Sequence, residues 1–220
     1  MQITKIFQIS DIHIRLYKRH KEYEQVFKRL FQYIEENKTD QSIIVITGDV
    51  VHNKTDMSPE MIHLTSKFLK GCADLLPTIL MPGNHDGNLS NSNRLDALTP
   101  IVNSLNHPNL QYWKDSGVYK FHGLTFSHFG IFDSPDNWVL AKDIKAKYKI
   151  ALHHGPVIGS YTDITKIETG VKVGIFDGFD ITLLGDIHSA QTLQEFHEEI
   201  IEIDENELEQ YLKDGWEIIK

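Results

Sequence analysis

Five short apolar runs constrain the fold of this chain, because each ends at residues that can bind a metal ion. Runs of this length, rich in β-branched residues and separated by helical stretches, are typical of buried strands in an α/β sheet. In such sheets ligands bind at the carboxyl ends of the strands, so we expect a metal-centred site at one edge. The runs are 6–10 before Asp11 and His13, 43–47 before Asp49, 78–81 before Asn84, His85 and Asp86, 149–152 before His153 and His154, and 181–184 before Asp186 and His188.

Helical patterns separate the first three runs. Apolar residues recur at helical spacing over 23–34, which predicts an amphipathic helix that ends near Asn37. Ser58 followed by Pro59 predicts the start of a second helix, and Gly71 predicts its C-terminal cap. Alternating strands and helices predict right-handed parallel crossovers.

The second half of the chain is expected to be richer in antiparallel strands. A third helix is predicted beyond Asn93, with Leu95 facing inward and Pro100 interrupting it. The dipeptide His122-Gly123 lies between two apolar segments and predicts a β-hairpin.

The chain is strongly acidic after residue 195. We expect this segment to form a surface strand and a short helix that close the domain, with an acidic docking segment for a partner as the alternative. The predicted organisation is one domain over 1–194 and an acidic C-terminal segment over 195–220, without a separate cap domain.

Composition narrows the class of protein. The net charge of −9 argues against a basic nucleic-acid module, although bound divalent ions can invert the local field and accommodate an anionic substrate. Cys72 is the only cysteine and cannot form an internal disulfide, so we expect a buried thiol and a reducing, cytoplasmic compartment. No apolar stretch approaches the length that crosses a membrane, and we expect no membrane association.

The predicted donors suit two divalent ions. Asp11 and His13 would lie on the same side of an extended segment, so one ion could bind both. The carboxylate of Asp49 has two oxygens and could bridge two ions. Oxygen and imidazole donors without a thiolate suit Mn²⁺, Mg²⁺, Fe²⁺ or Zn²⁺, and we expect Mn²⁺ first. Two such ions can clamp a phosphoryl group.

The ordered motifs resemble those of the calcineurin-like metallophosphoesterases. The resemblance covers residues 6 to about 190 and implies an α/β fold in which two mixed β-sheets pack as a sandwich flanked by helices. It also implies two-metal-dependent phosphodiester hydrolysis. The motifs are Asp11-x-His13, Gly48-Asp49, Gly83-Asn84-His85-Asp86, His153-His154 and Gly185-Asp186-x-His188.

Within that family the chain is most similar to the nuclease subunits of SbcCD-type recombination complexes, particularly phage-encoded ones. Three features support this resemblance: His52 three residues after Asp49, the run Ser-Asp-Ile-His-Ile-Arg over 10–15, and the run Gly-Asn-His-Asp-Gly-Asn over 83–88. It implies a DNA exonuclease or endonuclease in recombination or repair. It also implies DNA as substrate and an SbcC-like ATPase as partner, allows a homodimer, and, if the chain is phage-encoded, implies the host cytoplasm.

The resemblance also implies a role for each site residue. His153 is preferred to His154 as a ligand because it directly follows its predicted strand. Asp11, His13 and His188 would hold one ion, Asn84, His153 and Asp186 the other, and Asp49 would bridge them. His85 would contact the phosphate and protonate the leaving oxygen, Asp86 would orient His85, and His52 would contact the substrate.

Two departures from the family pattern leave alternatives open. Asp186 stands where the family usually has a histidine, so it could bind metal or instead accept a hydrogen bond from a ligand histidine. The chain continues only briefly past His188, so we do not expect DNA contacts from a cap. The alternatives are a phosphatase or phosphodiesterase acting on a small molecule or phosphoprotein, and a metal-poor interaction scaffold of the same fold.

Overall fold

The apolar runs of the first half form one parallel β-sheet in a computed structural model of the protein, which describes residues 3–91, 93–161, 165–188, 191 and 193. The elements of this half are β1 (Lys5–Ile9), α1 (His20–Asn37), β2 (Ser42–Thr47), α2 (Pro59–Leu75), β3 (Thr78–Met81), α3 (Leu98–Leu105) and β4 (Leu110–Tyr112). The strand order is β1-β2-β3-β4, and every neighbouring pair is parallel, as the alternation of strands and helices predicted.

The later strands form a second sheet, which contains β5 (Gly117–Phe121), β6 (Leu124–Phe129), β7 (Lys149–His154) and β8 (Ile181–Gly185), in that order. Strands β5 and β6 are antiparallel. His122 and Gly123 connect them with φ angles of 48° and 85°, the positive values that a type I′ turn requires, and the predicted hairpin is confirmed. Strands β6, β7 and β8 are parallel, so the antiparallel pairing of this sheet is confined to the hairpin.

The two sheets pack face to face, and all six residues of β2 are buried between them and the helices. Ile44 and Ile46 lie in the core beneath α1 and α2, whereas Ile43 and Val45 lie in the core between the sheets. Successive side chains of a strand point to opposite faces, which explains this division. The predicted α/β class, two sheets flanked by helices, is confirmed; among the described strands only the second sheet is mixed.

Helix α1 ends, and helix α2 begins, where the sequence predicted, but α2 does not stop at Gly71. Ser58 caps α2 because its hydroxyl accepts a hydrogen bond from the Met61 amide at 3.2 Å. The helix runs through Gly71 to Leu75, so the predicted C-terminal cap is wrong. A Cβ at residue 71 would lie 2.6 Å from the ring of Phe31, and the glycine therefore allows α1 and α2 to approach closely.

Helix α3 is shorter than its sequence pattern suggested. It begins at Leu98, so Pro100 lies in the first turn, where a missing backbone donor costs little. Leu95 precedes the helix and is 68 % exposed, which corrects the expectation that it faces inward.

The predicted acidic segment 195–220 lies outside the described residues. The domain boundary at 194 therefore stays a prediction. In the part of the chain that the structure describes, no helix has both the length and the apolar character that a membrane span requires.

Candidate metal centre

The candidate site lies where strands of both sheets end at the same edge. The Gln8 side chain on β1 donates to the Leu184 carbonyl on β8 at 2.7 Å and so links the two sheets near this edge. The Asp186 amide, just past β8, donates to both carboxylate oxygens of Asp11, at 3.1 and 3.2 Å. Residues that are far apart in the sequence therefore meet at one edge, as the strand-end pattern predicted.

Four residues of the site adopt a left-handed backbone that non-glycine residues rarely occupy. The φ angles are 55° at Asp11, 51° at His13, 52° at Asp49 and 72° at Asp186. Each such conformation costs on the order of 1 kcal/mol or more. Backbone hydrogen bonds hold the segments after β1 and β2 side by side, including His13 to the Asp49 carbonyl at 2.9 Å. Unfavourable backbone geometry is thus concentrated where the predicted donors converge.

Asp49 is the centre of the site and is 1 % exposed. Its Oδ2 lies 3.6 Å from His13 Nε2, and its Oδ1 lies 3.3 Å from His154 Nε2. The His85 amide donates to Oδ1 at 2.9 Å. Burial opposes ionisation, but hydrogen bonding and charge from His154 outweigh it and lower the pKa of Asp49. The two carboxylate oxygens therefore face different histidines.

A second group of donors surrounds the Asp11 carboxylate. His188 Nε2 lies 3.3 Å from Asp11 Oδ1, and His13 Nε2 lies 4.0 Å from the same oxygen. Both ring nitrogens of His13 are buried and make no hydrogen bond within the described residues. The structure therefore brings together the three side chains predicted for the first ion.

Asn84 and His154 form the other side of the site. His154 Nδ1 lies 2.7 Å from the Thr47 carbonyl, so this nitrogen carries a proton and the neutral ring presents the lone pair of Nε2 to the site. The Asn84 side-chain amide lies 3.1 Å from Nε2 and 3.2 Å from both Asp49 carboxylate oxygens; in one orientation its oxygen faces these acceptors, and in the flipped one its nitrogen donates to them. Lone pairs that face one another need a proton or a cation between them. Burial opposes protonation of His154, but Asp49 outweighs it and raises the pKa to about 9, so the ion-free ring carries that proton.

The structure corrects the choice between the two adjacent histidines. Strand β7 runs through His154, two residues further than predicted, so His153 and His154 point to opposite faces of the sheet. His153 Nδ1 is hydrogen-bonded to the Phe129 carbonyl at 2.8 Å, and its ring packs 5.4 Å from that of Trp138. Burial lowers the pKa of His153 to about 4. His154 is therefore the candidate ligand, and His153 belongs to the outer core of the second sheet.

His85 is held by a backbone group and not by its neighbour Asp86. Its Nδ1 lies 2.7 Å from the His52 carbonyl, and its Nε2 lies 4.0 Å from Asp49 Oδ2. The His52 ring is exposed and stacks on the His85 ring, with centroids 5.6 Å apart. The two histidines thus form the open side of the site.

Asp86 holds two loops together below the site. It is fully buried and accepts hydrogen bonds from the amides of Gly83 at 2.8 Å, Val51 at 2.9 Å and Val50 at 3.3 Å. Burial raises the pKa of this carboxyl group to about 7. Because both of its oxygens are used by backbone amides, the prediction that Asp86 orients His85 is wrong.

Asp186 lies beside the predicted ligands without joining their tightest groups. Burial raises its pKa, and the nearby charges of His154, Asp49 and Asp11 also act on it. The clusters of candidate ligand atoms within 4.8 Å of one another are Asp11, His13 and His188; Asp11, Asp49 and His154; and His13, His52 and His85. Metal binding by Asp186 stays a prediction.

Glycines make room for the His154 ring. A Cβ at Gly185 would collide with His154 Nδ1 and with the Thr47 carbonyl oxygen, the two atoms that the hydrogen bond joins. Gly48 has a φ of 93°, and a Cβ there would lie 2.5 Å from the same nitrogen. The glycines of the Gly-Asp motifs therefore allow the imidazole to reach the centre of the site.

One cation, Lys54, lies beside the donors without a sequence motif that marks it. Lys54 donates to the Asn84 carbonyl at 2.9 Å. No motif marks this lysine, since its role depends on the approach of two loops that are distant in sequence. It holds the backbone of Asn84, whose side-chain amide lies against Asp49 and His154.

The donor set fits divalent cations. Buried imidazole nitrogens without hydrogen bonds and a carboxylate shared by two histidines are the surroundings that such ions require. The absence of thiolate from these clusters favours ions that accept oxygen and nitrogen ligands.

Comparisons with known proteins agree with this geometry. The sequence model for calcineurin-like phosphoesterases matches residues 4–189. An uncharacterized protein of Acanthamoeba polyphaga mimivirus is 42 % identical over an alignment 207 residues long, and the alignment covers 88 % of this chain. The chain spans 15 % of the length of that viral protein.

Proposed function

Because the chain belongs to the calcineurin-like phosphoesterase family, we propose that it is a two-metal phosphodiesterase that cleaves DNA. Membership of the family implies metal-dependent hydrolysis of phosphoesters. The observation that supports a two-ion site is the position of Asp49, whose two oxygens face His13 and His154 at 3.6 and 3.3 Å. A carboxylate that bridges two ions needs this arrangement.

Each proposed ion has its own set of ligands. Asp11, His13 and His188 would hold one ion, Asn84 and His154 would hold the other together with Asp186, and Asp49 would lie between them. Mn²⁺ is the ion that we expect first. When bound, divalent ions supply Lewis acidity to the phosphoryl group and neutralise its charge.

His85 is the residue that we expect to handle the proton of the leaving group. Its Nδ1 donates to the His52 carbonyl at 2.7 Å, so its Nε2 is the nitrogen that can hold and deliver a proton to the leaving oxygen. The His85 side chain is 39 % exposed, which gives a substrate access to that nitrogen.

The open side of the site supports a diester substrate. His52 is exposed next to His85, so groups on both sides of a phosphorus atom can be accommodated without entering the protein core. The resemblance to nuclease subunits, to which the position of His52 contributes, favours DNA among the diesters. The SbcC-like ATPase partner, the homodimer and the host cytoplasm stay predictions.

The proposal is tested by supplying Mn²⁺ to the purified protein and offering four substrates. These are single-stranded DNA, double-stranded DNA, bis(p-nitrophenyl) phosphate and p-nitrophenyl phosphate. We expect hydrolysis of the diester and of DNA, and a loss of about 10²–10⁴-fold in His85→Ala, as for removal of a general acid. Lys142→Gln, an exposed substitution outside the site, is the matched control.

Other results would favour the alternative functions. Hydrolysis of the monoester alone would indicate a phosphatase. Hydrolysis of the small diester without DNA cleavage would indicate a small-molecule phosphodiesterase. A protein that binds no Mn²⁺ and cleaves nothing would be a scaffold.

A further inference from the structure

A cleft of about 250 Å³ opens beside His52, next to the candidate metal centre. Arg15, Leu16, Tyr17 and Lys18 line the wall that follows β1, His52 and Asn53 line the wall that follows β2, and Met61 of α2 completes the lining. The His52 ring centroid is 5.7 Å from that of His13 and 5.6 Å from that of His85. A substrate that extends beyond the metal centre on this side therefore enters the cleft.

The cleft forms where two adjacent segments separate. The segments after β1 and β2 run side by side up to the Ile14–Val51 bridge, and the His52 amide still donates to the Ile14 carbonyl at 3.0 Å. Beyond this point one segment leads to α1 and the other to α2. The Ser58 hydroxyl donates to the Leu16 carbonyl at 2.5 Å, which ties the first wall to the start of α2.

The charge of the cleft is opposite to that of the whole chain. Arg15 and Lys18 are exposed, and neither forms an ion pair among the described residues. Their neighbour Arg19, by contrast, pairs with Glu22 at 2.5 Å. Although the net charge of the protein is −9, the two unpaired cations create a locally positive potential that attracts anions beside the site.

An aromatic side chain stands beside these cations. Tyr17 is 69 % exposed and makes no hydrogen bond or ring contact among the described residues. An exposed aromatic ring next to unpaired cations is the combination with which proteins bind single-stranded nucleic acid, because the ring stacks on a base and the cations contact phosphates.

On the basis of the proposed function, we propose that the cleft binds the nucleotide adjacent to the scissile phosphate of a single-stranded nucleic acid. Tyr17 stacks on the base of that nucleotide, and Arg15 and Lys18 contact its phosphate. Arginine suits the phosphate through its planar set of donors. A substrate that ends at the scissile phosphate would use none of these three side chains, whereas an extended strand would use all of them.

The first test compares an extended substrate with a small one. Values of kcat/KM with Mn²⁺ are measured for a short single-stranded oligonucleotide and for bis(p-nitrophenyl) phosphate. We expect Tyr17→Ala to lower the ratio of the two values by about 5- to 100-fold, as for loss of one stacked base, and Tyr17→Trp to restore it. The double variant Arg15→Gln/Lys18→Gln is expected to weaken the dependence of oligonucleotide cleavage on salt.

The matched control is Lys142→Gln, which removes an exposed positive charge elsewhere. The carbonyl of Ala141, which precedes Lys142, accepts a hydrogen bond from the side-chain ammonium of Lys149. Lys149 is at the start of β7, whereas His154 is at the end of that strand. The strand length separates the two ends by about 16 Å. We expect this control to leave the ratio of kcat/KM values unchanged. An unchanged ratio in Tyr17→Ala, or an equal loss on both substrates, would overturn the proposal.

A binding experiment separates this inference from the proposed function. Fluorescence anisotropy measures the affinity of the Mn²⁺-loaded His85→Ala protein, with and without Tyr17→Ala, for the same oligonucleotide. Binding that depends on Tyr17 supports the proposal that the cleft binds a nucleotide, even if the wild-type protein does not cleave DNA. Lack of DNA cleavage would overturn only the proposed nuclease function. Tyr17-dependent binding of a phosphopeptide of equal charge, without binding of the oligonucleotide, would overturn the nucleic-acid assignment.

Discussion

At the scale of single residues, the face of the strand on which a histidine lies decides what that histidine can do. His154 faces Asp49 and Asn84, whereas His153 packs against Trp138 on the outer face. Their side-chain chemistry is identical, so only the pleat of β7 separates a candidate ligand from a core residue.

Replacing each histidine by alanine should therefore produce different defects. We expect His154→Ala to lose Mn²⁺ binding and hydrolysis, because Asn84 and Asp49 lose their nitrogen partner. We expect His153→Ala to keep the bound metal but to lose about 1–3 kcal/mol of stability, since the Phe129 carbonyl loses its hydrogen bond. Metal content and chemical denaturation of both variants measure these effects. Loss of metal in His153→Ala with unchanged stability would contradict the assignment.

His128 is expected to make the free energy of unfolding decrease as the pH falls. Burial lowers its pKa from 6.5 to about 4. Between these values the unfolded chain binds a proton that the folded protein excludes, so the contribution of His128 to stability is lost as the pH falls from about 6.5 towards 4. The loss attributable to this residue at pH 4.5 is on the order of 2 kcal/mol.

Denaturation of the metal-free protein at several pH values tests this effect. His128→Gln should be less stable than the wild type at pH 7, because its packing is imperfect, but it should lose less stability on acidification. An identical pH dependence in the variant would show that His128 does not cause it.

Which residues lie at the strand ends could be predicted from the sequence, because each motif fixes the residues that follow a strand. The contacts of those residues could not. Asp86 stands beside His85 in the sequence, yet it binds the amides of Val50, Val51 and Gly83, which depend on how two loops meet. The preference for His153 failed because a strand end misplaced by two residues changed which histidine was taken for the ligand.

At the scale of elements, a local signal predicted where α2 begins, but a tertiary contact explains the glycine that was taken for its end. Ser58 and Pro59 act within their own turn, so the start of α2 is readable from sequence. Gly71 resembles a helix cap, but its role is to admit the Phe31 ring of α1. That contact joins two helices and has no local signature.

The contact between Gly71 and Phe31 predicts a specific double-mutant result. Gly71→Leu should destabilise the protein by about 1–3 kcal/mol through overpacking, although leucine favours helix more than glycine does. Adding Phe31→Ala should recover part of that loss, because the ring is removed from the space that the new side chain needs. Free energies of unfolding of both single variants and the double variant measure the coupling. Additive losses would indicate that the two residues do not share this space.

At the scale of the whole molecule, the candidate site joins the two sheets. Asp11 and Asp49 follow strands of the first sheet, whereas His154 and His188 lie at or beyond strands of the second. Ions held between them would bind the folded protein and not the unfolded chain. The proposed metal centre is thus also a contributor to stability.

Removing metal should lower the thermal midpoint. At a free Mn²⁺ concentration about 100 times the dissociation constant, we expect a gain of about 2.7 kcal/mol over the metal-free protein. Thermal unfolding with EDTA and with increasing Mn²⁺ measures this gain, and Asp49→Asn serves as the variant in which it should diminish. A midpoint insensitive to Mn²⁺, in protein that demonstrably contains the ion, would contradict the inter-sheet arrangement.

The meeting of Asp11 with His188 has a consequence for the newly made protein. The two side chains lie 3.3 Å apart although 177 positions separate them in the sequence. During translation, Asp11 leaves the ribosome long before His188 is added. A nascent chain that stops between them lacks part of the ligand set, so hydrolytic competence would arise only after synthesis has passed His188.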